Sequence, residues 1–74
     1  MTTVNQLLKG ISIINSYYSQ DGYNIDAEHD QIFMVATDVP ICFAHLLTLW
    51  DLGWFQPNIP EHEYSIEEGW SIYL

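Results

Sequence analysis

The segment from Pro40 to Leu52 constrains the fold most, because it predicts a helix that is apolar on nearly every side. Thr37 or Asp38 is the expected cap of this helix, and Gly53 is its expected end. A helix of this kind has to be covered by more than one neighbour. A chain of 74 residues has little other protein to provide that cover. Either the sheet and the earlier helix cover Ile41, Phe43 and Trp50 entirely, or an exposed apolar patch marks a partner contact, most simply a homodimer, and we expect the partner contact. The residues predicted at this apolar interface are Ile41, Phe43, Leu47 and Trp50.

An apolar stripe at three- and four-residue steps predicts an earlier helix, from about Thr3 to Ser19. Thr2 or Thr3 is placed to cap its start, and Gly22 can take the left-handed conformation that ends a helix. The stripe consists of Val4, Leu7, Leu8, Ile11, Ile14 and Tyr18.

Two short strands, joined by a tight connection at residues 29–31, are predicted between the helices. The first strand alternates apolar and acidic positions, which gives it one buried face and one solvent face carrying Asp26 and Glu28. The second strand, IFMVA at residues 32–36, is a continuous run of the apolar, aromatic and β-branched residues that favour strands.

Two further strands are predicted after the second helix, WFQP at residues 54–57 and WSIYL at residues 70–74, with an acidic loop between them. The order of elements is then α-β-β-α-β-β. We therefore predict an α+β fold for a single domain over residues 1–74. Its four-stranded, mainly antiparallel sheet carries both helices packed on one face.

Acidic residues dominate the charge of the chain, which has 10 Asp and Glu, one Lys (Lys9), no Arg and a formal net charge of −9. Such a surface repels nucleic acid and anionic membranes, and it attracts positively charged surfaces. The alternative is that the charge only maintains solubility, although ordinary soluble surfaces mix both signs. The candidate partner-binding residues form a strand patch of Asp21, Asp26, Glu28 and Asp30, and a loop patch of Glu61, Glu63, Glu67 and Glu68.

The two patches are expected to differ in rigidity. Ladder hydrogen bonds fix the spacing of the strand patch, whereas the loop patch lies between Pro60 and Gly69 and is expected to move. A preorganised set of charges loses less entropy on binding. The candidate aromatic anchors beside these charges are Tyr23, Tyr64 and Tyr73.

No residue pattern predicts catalysis or a cofactor, and we expect neither. Nucleophilic catalysis needs an activated Ser or Cys beside an oriented base, and so short a chain has little room for a cleft of about 300 Å³ or more. Cys42 and His45 share a helical face at a spacing that suits two zinc ligands, but structural zinc takes four, so His29 or His62 would have to join them. Cys42 is instead expected to be a small core residue.

The expected compartment is the cytoplasm of a host cell. No segment approaches the roughly 18 apolar residues that span a membrane. The N-terminal MTTVNQLLKG lacks the basic start and apolar run of a signal peptide. A single cysteine fits a reducing compartment.

Three short motifs occur together: AEHDQIF at residues 27–33, LGWF at residues 52–55 and W-x-x-Y at residues 70–73. They resemble a set of small phage and prophage proteins that pair an AEHD-x-I strand with a later LGW turn and a C-terminal aromatic strand. The resemblance covers residues 25–73 in outline, and it implies a phage-type origin without a catalytic assignment. The chain departs from the pattern before LGW, where the helix is usually polar and acidic on its outer face and is apolar here.

In size, acidity and implied origin the chain also resembles anti-CRISPR proteins, several of which look like nucleic-acid mimics. The predicted function is therefore a phage-type inhibitor that binds a basic nucleic-acid-binding surface of a host protein, such as a Cas subunit, by acidic charge mimicry. The alternative is a phage accessory or structural protein that self-associates through the helix at residues 40–52 and uses its charge for solubility. The first kind of binding weakens steeply with salt, whereas the second is nearly independent of salt.

Overall fold

The structure is a computed structural model that describes residues 2–19, 22 and 24–74. The strands form one antiparallel sheet in the order β1-β2-β3, so the mixed helix-and-sheet character agrees with the prediction. Neither helix in the described part of the chain has the length and apolarity of a bilayer-spanning segment. The elements are α1 Val4–Asn15, β1 Ile25–Glu28, β2 Gln31–Met34, α2 Phe43–Leu52 and β3 Trp70–Tyr73.

The predicted four-stranded sheet is wrong, because residues 54–57 contribute only a single bridge, between Phe55 and Ser71. These two residues exchange both backbone hydrogen bonds, at 2.9 and 2.8 Å. In an antiparallel ladder the next hydrogen-bonded positions lie two residues away on either side. One of them is Pro57, which has no N–H, and the other is Gly53, whose N–H bonds back to α2. The ladder therefore stops after one pair.

Helix α1 begins with a capping box at Thr3, which confirms one of the two predicted caps. The Thr3 hydroxyl oxygen accepts from the backbone N–H of Gln6 at 3.1 Å, and the Gln6 side-chain oxygen accepts from the N–H of Thr3 at 2.9 Å. Two N–H groups that the first helical turn leaves unpaired are thus satisfied reciprocally.

Helix α1 ends at Asn15, with Ser16 as its C-cap in the right-handed conformation, so the predicted extension and the predicted Gly22 cap are wrong. Long-range hydrogen bonds explain the early end. Tyr18 donates its hydroxyl proton to a backbone carbonyl just after β2 at 2.5 Å, and the Tyr17 hydroxyl reaches the start of α2. These tertiary contacts require the two tyrosines to leave the helical path.

Helix α2 begins at Phe43, and its N-cap is Cys42, whose side chain makes no capping hydrogen bond. The predicted caps Thr37 and Asp38 are used elsewhere. The buried Thr37 donates its hydroxyl proton to a nearby backbone carbonyl. Asp38 accepts from the backbone N–H and the hydroxyl of Ser19, at 2.7 and 2.9 Å. These two hydrogen bonds lower the pKa of Asp38, because they favour the carboxylate.

Two predictions that rest on local turn chemistry are confirmed. Gly53 ends α2 in the left-handed conformation, with a φ of 99°. The strands β1 and β2 form a tight hairpin in which Glu28 pairs with Gln31, so His29 and Asp30 alone make the turn. His29 has a φ of 49°, a conformation that His adopts more readily than most side chains.

Strand β1 is exposed along its whole length, so the prediction of a half-buried strand is wrong. The buried apolar residues of the sheet are Met34 in β2 and Trp70 and Ile72 in β3, which pack with residues of both helices. Strand β1 lies at the edge, beyond this cover, and even its apolar Ile25 is 47% exposed.

The core is a single cluster that joins one face of the sheet to both helices. Ile41, which was predicted at an intermolecular interface, belongs to this core and is only 4% exposed. The buried members are Ile14, Met34, Ile41, Leu46, Leu49, Trp54, Trp70 and Ile72.

Gly10 in α1 lies directly against the indole of Trp54, which is 1% exposed. The Trp54 Nε1 is a buried nitrogen without a hydrogen-bond partner among the described residues. A Cβ atom on Gly10 would lie only 1.8 Å from this nitrogen. The missing side chain therefore allows the helix backbone to approach the tryptophan.

Candidate functional site

The strand patch lies on the free edge of the sheet. Asp26 stands opposite Phe33, and Glu28 occupies the next position on the same face. Asp26, Glu28 and Asp30 in the turn are all exposed, whereas Asp21 lies outside the described residues. The structure thus brings Asp26, Glu28 and Asp30 together as one acidic strip.

Asp26 also protects the edge of the sheet. One of its carboxylate oxygens accepts from the backbone N–H of Ala27 at 2.9 Å. Free N–H groups on an edge strand invite pairing with another chain, and charged side chains counter it. The edge is therefore adapted to present charge rather than to extend the sheet.

The sheet face that points away from the helices is aromatic beside the strand patch. Phe33 and Tyr73 project from this face, because their neighbours Met34 and Ile72 are buried toward the helices. Phe55 stacks on Tyr73 with ring centroids 5.4 Å apart, and Tyr73 is 57% exposed. We call the surface formed by Asp26, Glu28, Phe33, Phe55 and Tyr73 the outer sheet face.

The other two candidate anchors do not belong to this surface. Tyr64 is half-buried, and its hydroxyl oxygen accepts from the backbone N–H of Ile41 at 3.0 Å. Its ring stacks with Trp70 at a centroid distance of 6.3 Å. Tyr64 therefore supports the core, and Tyr23 lies outside the described residues.

The side chain of a buried glutamine forms hydrogen bonds to the backbone of the loop patch, and the expected motion of this loop stays a prediction. Gln56 is 4% exposed. Its side-chain nitrogen donates to the carbonyls of Ser65 and Glu68 at 2.6 and 3.0 Å, and its oxygen accepts from the N–H of Ser65 at 2.9 Å. The exposed carboxylates on this loop are Glu61, Glu63 and Glu67, and Glu68 is half-buried.

The strand patch and the first part of the loop patch, Glu61 and Glu63, lie at opposite edges of the sheet. The loop begins beyond the bridge between Phe55 and Ser71, on the far side of β3 from β1. Three strand spacings of about 4.8 Å separate the two edges by roughly 14 Å. The end of the loop, at Gly69, instead lies beside Met34 at the end of β2.

A pocket of about 430 Å³ opens between the end of α2 and the first part of the loop. The expectation that so short a chain has little room for a cleft of about 300 Å³ or more is therefore wrong. Trp50 and Phe55 contribute aromatic lining, and Glu61 and Glu63 contribute carboxylates. The His62 ring packs edge-on against Trp50 with centroids 5.4 Å apart.

The predicted apolar interface on α2 is only partly exposed. Phe43 is 67% exposed and Leu47 is 50% exposed, one helical turn apart. Ile41 lies in the core, and the half-buried Trp50 lines the pocket. The apolar patch of α2 therefore consists of Phe43 and Leu47.

Cys42 is exposed, so the prediction of a core cysteine is wrong. The Tyr17 hydroxyl oxygen lies 3.3 Å from Cys42 Sγ and 2.6 Å from His45 Nδ1. The hydrogen bond from Tyr17 lowers the pKa of the Cys42 thiol, and the backbone N–H groups of His45 and Ala44 lower it further. The same contact raises the pKa of Tyr17. An exposed thiol of this kind reacts at lower pH than an unperturbed cysteine.

The structure does not assemble a zinc site from these residues. In the part of the chain that is described, no group of three or more His, Cys, Asp or Glu is arranged to hold a metal ion. His29 lies in the hairpin turn and His62 lies in the loop, away from Cys42 and His45.

Sequence reasoning missed the pocket and the contact of Tyr17 with Cys42. The contact joins residues 25 positions apart, and no local pattern marks it. The pocket had a weak signal in the segment WFQPNIPEHE, where two prolines separate aromatic from acidic residues.

Comparisons with known proteins give no relative for this chain, since no family model, no curated protein and no solved structure matches it. The resemblance to phage and prophage proteins therefore stays a prediction that rests on the three short motifs.

Proposed function

We propose that this protein is an inhibitor that binds the basic, nucleic-acid-binding surface of another protein and excludes the nucleic acid. The observation that carries the proposal is the acidic strand β1, which is exposed along its whole length at the edge of the aromatic outer sheet face. A phage-type inhibitor of the anti-CRISPR kind, directed at a Cas subunit, is the most concrete version.

The spacing of the carboxylates supports charge mimicry. Alternate residues on one face of a strand recur every 6.6–6.8 Å or so, which is about twice the roughly 3.4 Å of helix axis per phosphate along one DNA strand. Asp26 and Glu28 hold this spacing on backbone that is paired with β2. Lys and Arg side chains arranged for every second phosphate along the helix axis would therefore meet carboxylates at a comparable interval.

The aromatic residues of the outer sheet face can supply the apolar anchor contacts that charged residues alone do not. Interface hot spots are enriched in large aromatic side chains near the centre of the contact. Phe33 and Tyr73 lie between the strand patch and the opposite edge, and Tyr73 is more than half exposed. Contact with these rings would exclude water from the neighbouring charge pairs and strengthen them.

The test is competition between this protein and labelled DNA for purified Cas effector complexes, measured at several salt concentrations. We expect the protein to displace DNA and its own affinity to fall steeply as salt rises, because charge pairs are screened. An uncharged competitor peptide serves as the control. If every complex that binds the protein also binds DNA with unchanged affinity, charge mimicry is excluded.

Exposure of Phe43 and Leu47 favours a second candidate, a phage accessory protein that self-associates through α2. We expect a wild-type homodimer at tens of micromolar concentration that Phe43→Glu converts to a monomer, because a carboxylate at the contact is desolvated without a partner. Light scattering measures the mass. Ser12→Glu, which adds the same charge at an exposed position of α1, should leave the dimer intact. A monomeric wild type contradicts this candidate.

A further inference from the structure

The pocket beside the loop patch combines aromatic walls with a negative rim. Trp50 and Phe55 are half-buried, so each presents part of its ring, and Glu61 and Glu63 are exposed beside them. Lys9 is the only Lys or Arg of the chain, and it does not line the pocket. His62 Nε2 lies 3.8 Å from a carboxylate oxygen of Glu61, but no lysine or arginine lines the pocket to neutralise these carboxylates.

This chemistry suits one kind of ligand, a cation with a flat and weakly hydrated head. Cations are attracted to the faces of tryptophan and phenylalanine rings. A guanidinium group stacks on such rings and pairs with carboxylates through two parallel hydrogen bonds, whereas an ammonium group is a strongly hydrated point charge. We propose that the pocket binds an arginine side chain of the basic partner, an inference that rests on the proposed function.

The rim of the pocket is preorganised. The N–H of Ile59 donates to the carbonyl of Gln56 at 3.2 Å, and the N–H of Glu63 donates to the carbonyl of Pro60 at 3.1 Å, so two successive turns shape the loop. The side chain of Gln56 holds the end of the loop through hydrogen bonds to the carbonyls of Ser65 and Glu68. A loop backbone that is already in position costs less entropy when the ligand binds.

The pocket also adjoins the surface proposed for partner binding. Phe55 lines the pocket and stacks on Tyr73 of the outer sheet face. A volume of about 430 Å³ falls in the range of sites for small ligands, about 300–1,000 Å³. A partner that binds the outer sheet face can therefore insert one of its arginine side chains, with the flanking backbone, into the pocket.

The direct test uses short peptides and the whole protein, without the partner. The probes are acetyl-Gly-Arg-Gly-amide and the same peptide with citrulline, which keeps the shape of arginine but is neutral. Nuclear magnetic resonance follows the indole N–H signals of Trp50, Trp54 and Trp70. We expect the arginine peptide to shift the Trp50 signal most, because Trp70 does not line the pocket and the buried Trp54 Nε1 lies against Gly10 of α1. Equal binding of the citrulline peptide would overturn the proposal.

Two matched double variants separate the pocket from general charge. The first variant combines Glu61→Gln with Glu63→Gln, and the second combines Glu67→Gln with Glu68→Gln. Each changes the net charge from −9 to −7, since each replacement removes one negative charge. We expect the first pair to weaken binding of the arginine peptide about tenfold, equivalent to about 1.4 kcal/mol. The second pair should weaken this binding by less than about twofold. Equal losses in both pairs, or a lysine peptide that binds as tightly as the arginine peptide, would overturn the assignment.

The same variants distinguish failure of the pocket from failure of the proposed function. If the arginine peptide does not bind, and Glu61→Gln with Glu63→Gln competes with DNA as well as wild type does, the pocket assignment is wrong and the inhibitor proposal stands. If the arginine peptide binds at Trp50 but the protein never displaces DNA, the arginine site is supported and the inhibitor proposal is wrong.

Discussion

Replacing Gly10 with Ala is expected to destabilise the protein, although the same change in an ordinary helix interior stabilises by about 0.5–1 kcal/mol. The new Cβ would lie 1.8 Å from Trp54 Nε1 and 2.5 Å from Cε2, and Trp54 is a core residue that is 1% exposed. Overpacking of a core typically costs about 1–3 kcal/mol. At roughly 4–8 °C per kcal/mol for a domain of this size, the melting temperature should fall by about 4–24 °C.

The controls for this prediction isolate the clash from helix propensity. Ser12→Ala changes an exposed position of α1, and it should leave the melting temperature unchanged or raise it slightly. Adding Trp54→Phe to Gly10→Ala removes the indole nitrogen, so the double variant should recover part of the loss, which a double-mutant cycle measures. A rise in melting temperature for Gly10→Ala alone would show that α1 does not lie against Trp54 as described.

Reversing the charges of the strand patch is expected to weaken partner binding about a hundredfold. Asp26→Lys with Glu28→Lys places two like charges against a basic partner, and a hundredfold loss corresponds to about 2.8 kcal/mol at 1.4 kcal/mol per factor of ten. Both residues are exposed on an edge strand, where lysine is well tolerated. The measurement is the affinity for the target and its slope against salt concentration, which should become shallower.

The matched control is Glu67→Lys with Glu68→Lys. Each double reversal changes the net charge from −9 to −5, because every reversal changes the charge by two, so long-range steering is the same in both variants. The reversed loop carboxylates are not on the outer sheet face, and we expect a smaller loss. Circular dichroism should show both variants folded. Equal losses of affinity would mean that the position of the charges does not matter for binding and that the acidic residues serve solubility alone.

Features set by neighbouring residues could be predicted from the sequence. Thr3 caps α1 because its hydroxyl oxygen reaches an N–H only three residues away, and Gly53 ends α2 because glycine adopts a positive φ without strain. The hairpin at His29 and Asp30 likewise joins residues that are adjacent in the chain. The acidic strip of Asp26 and Glu28 follows directly from strand alternation.

Features set by residues far apart could not be predicted in this way. The expected fourth strand requires a ladder of hydrogen bonds beside β3. This ladder does not extend, because Pro57 has no N–H and the N–H of Gly53 bonds to α2. Ile41 was assigned to an interface because its helix is apolar all round, yet the fold buries it in the core. Cys42 was assigned to the core, yet the fold leaves it exposed beside Tyr17.

The same distinction between local and long-range features applies to the candidate sites. The sequence alone determined the charge of −9 and the carboxylates that carry it, since composition does not depend on the fold. Only the tertiary structure decided that Trp50 and Phe55 meet the loop carboxylates around a pocket of about 430 Å³. The physical reason is that a pocket is the space left between packed elements, and that space depends on how α2, the bridge at Phe55 and the loop held by Gln56 pack together.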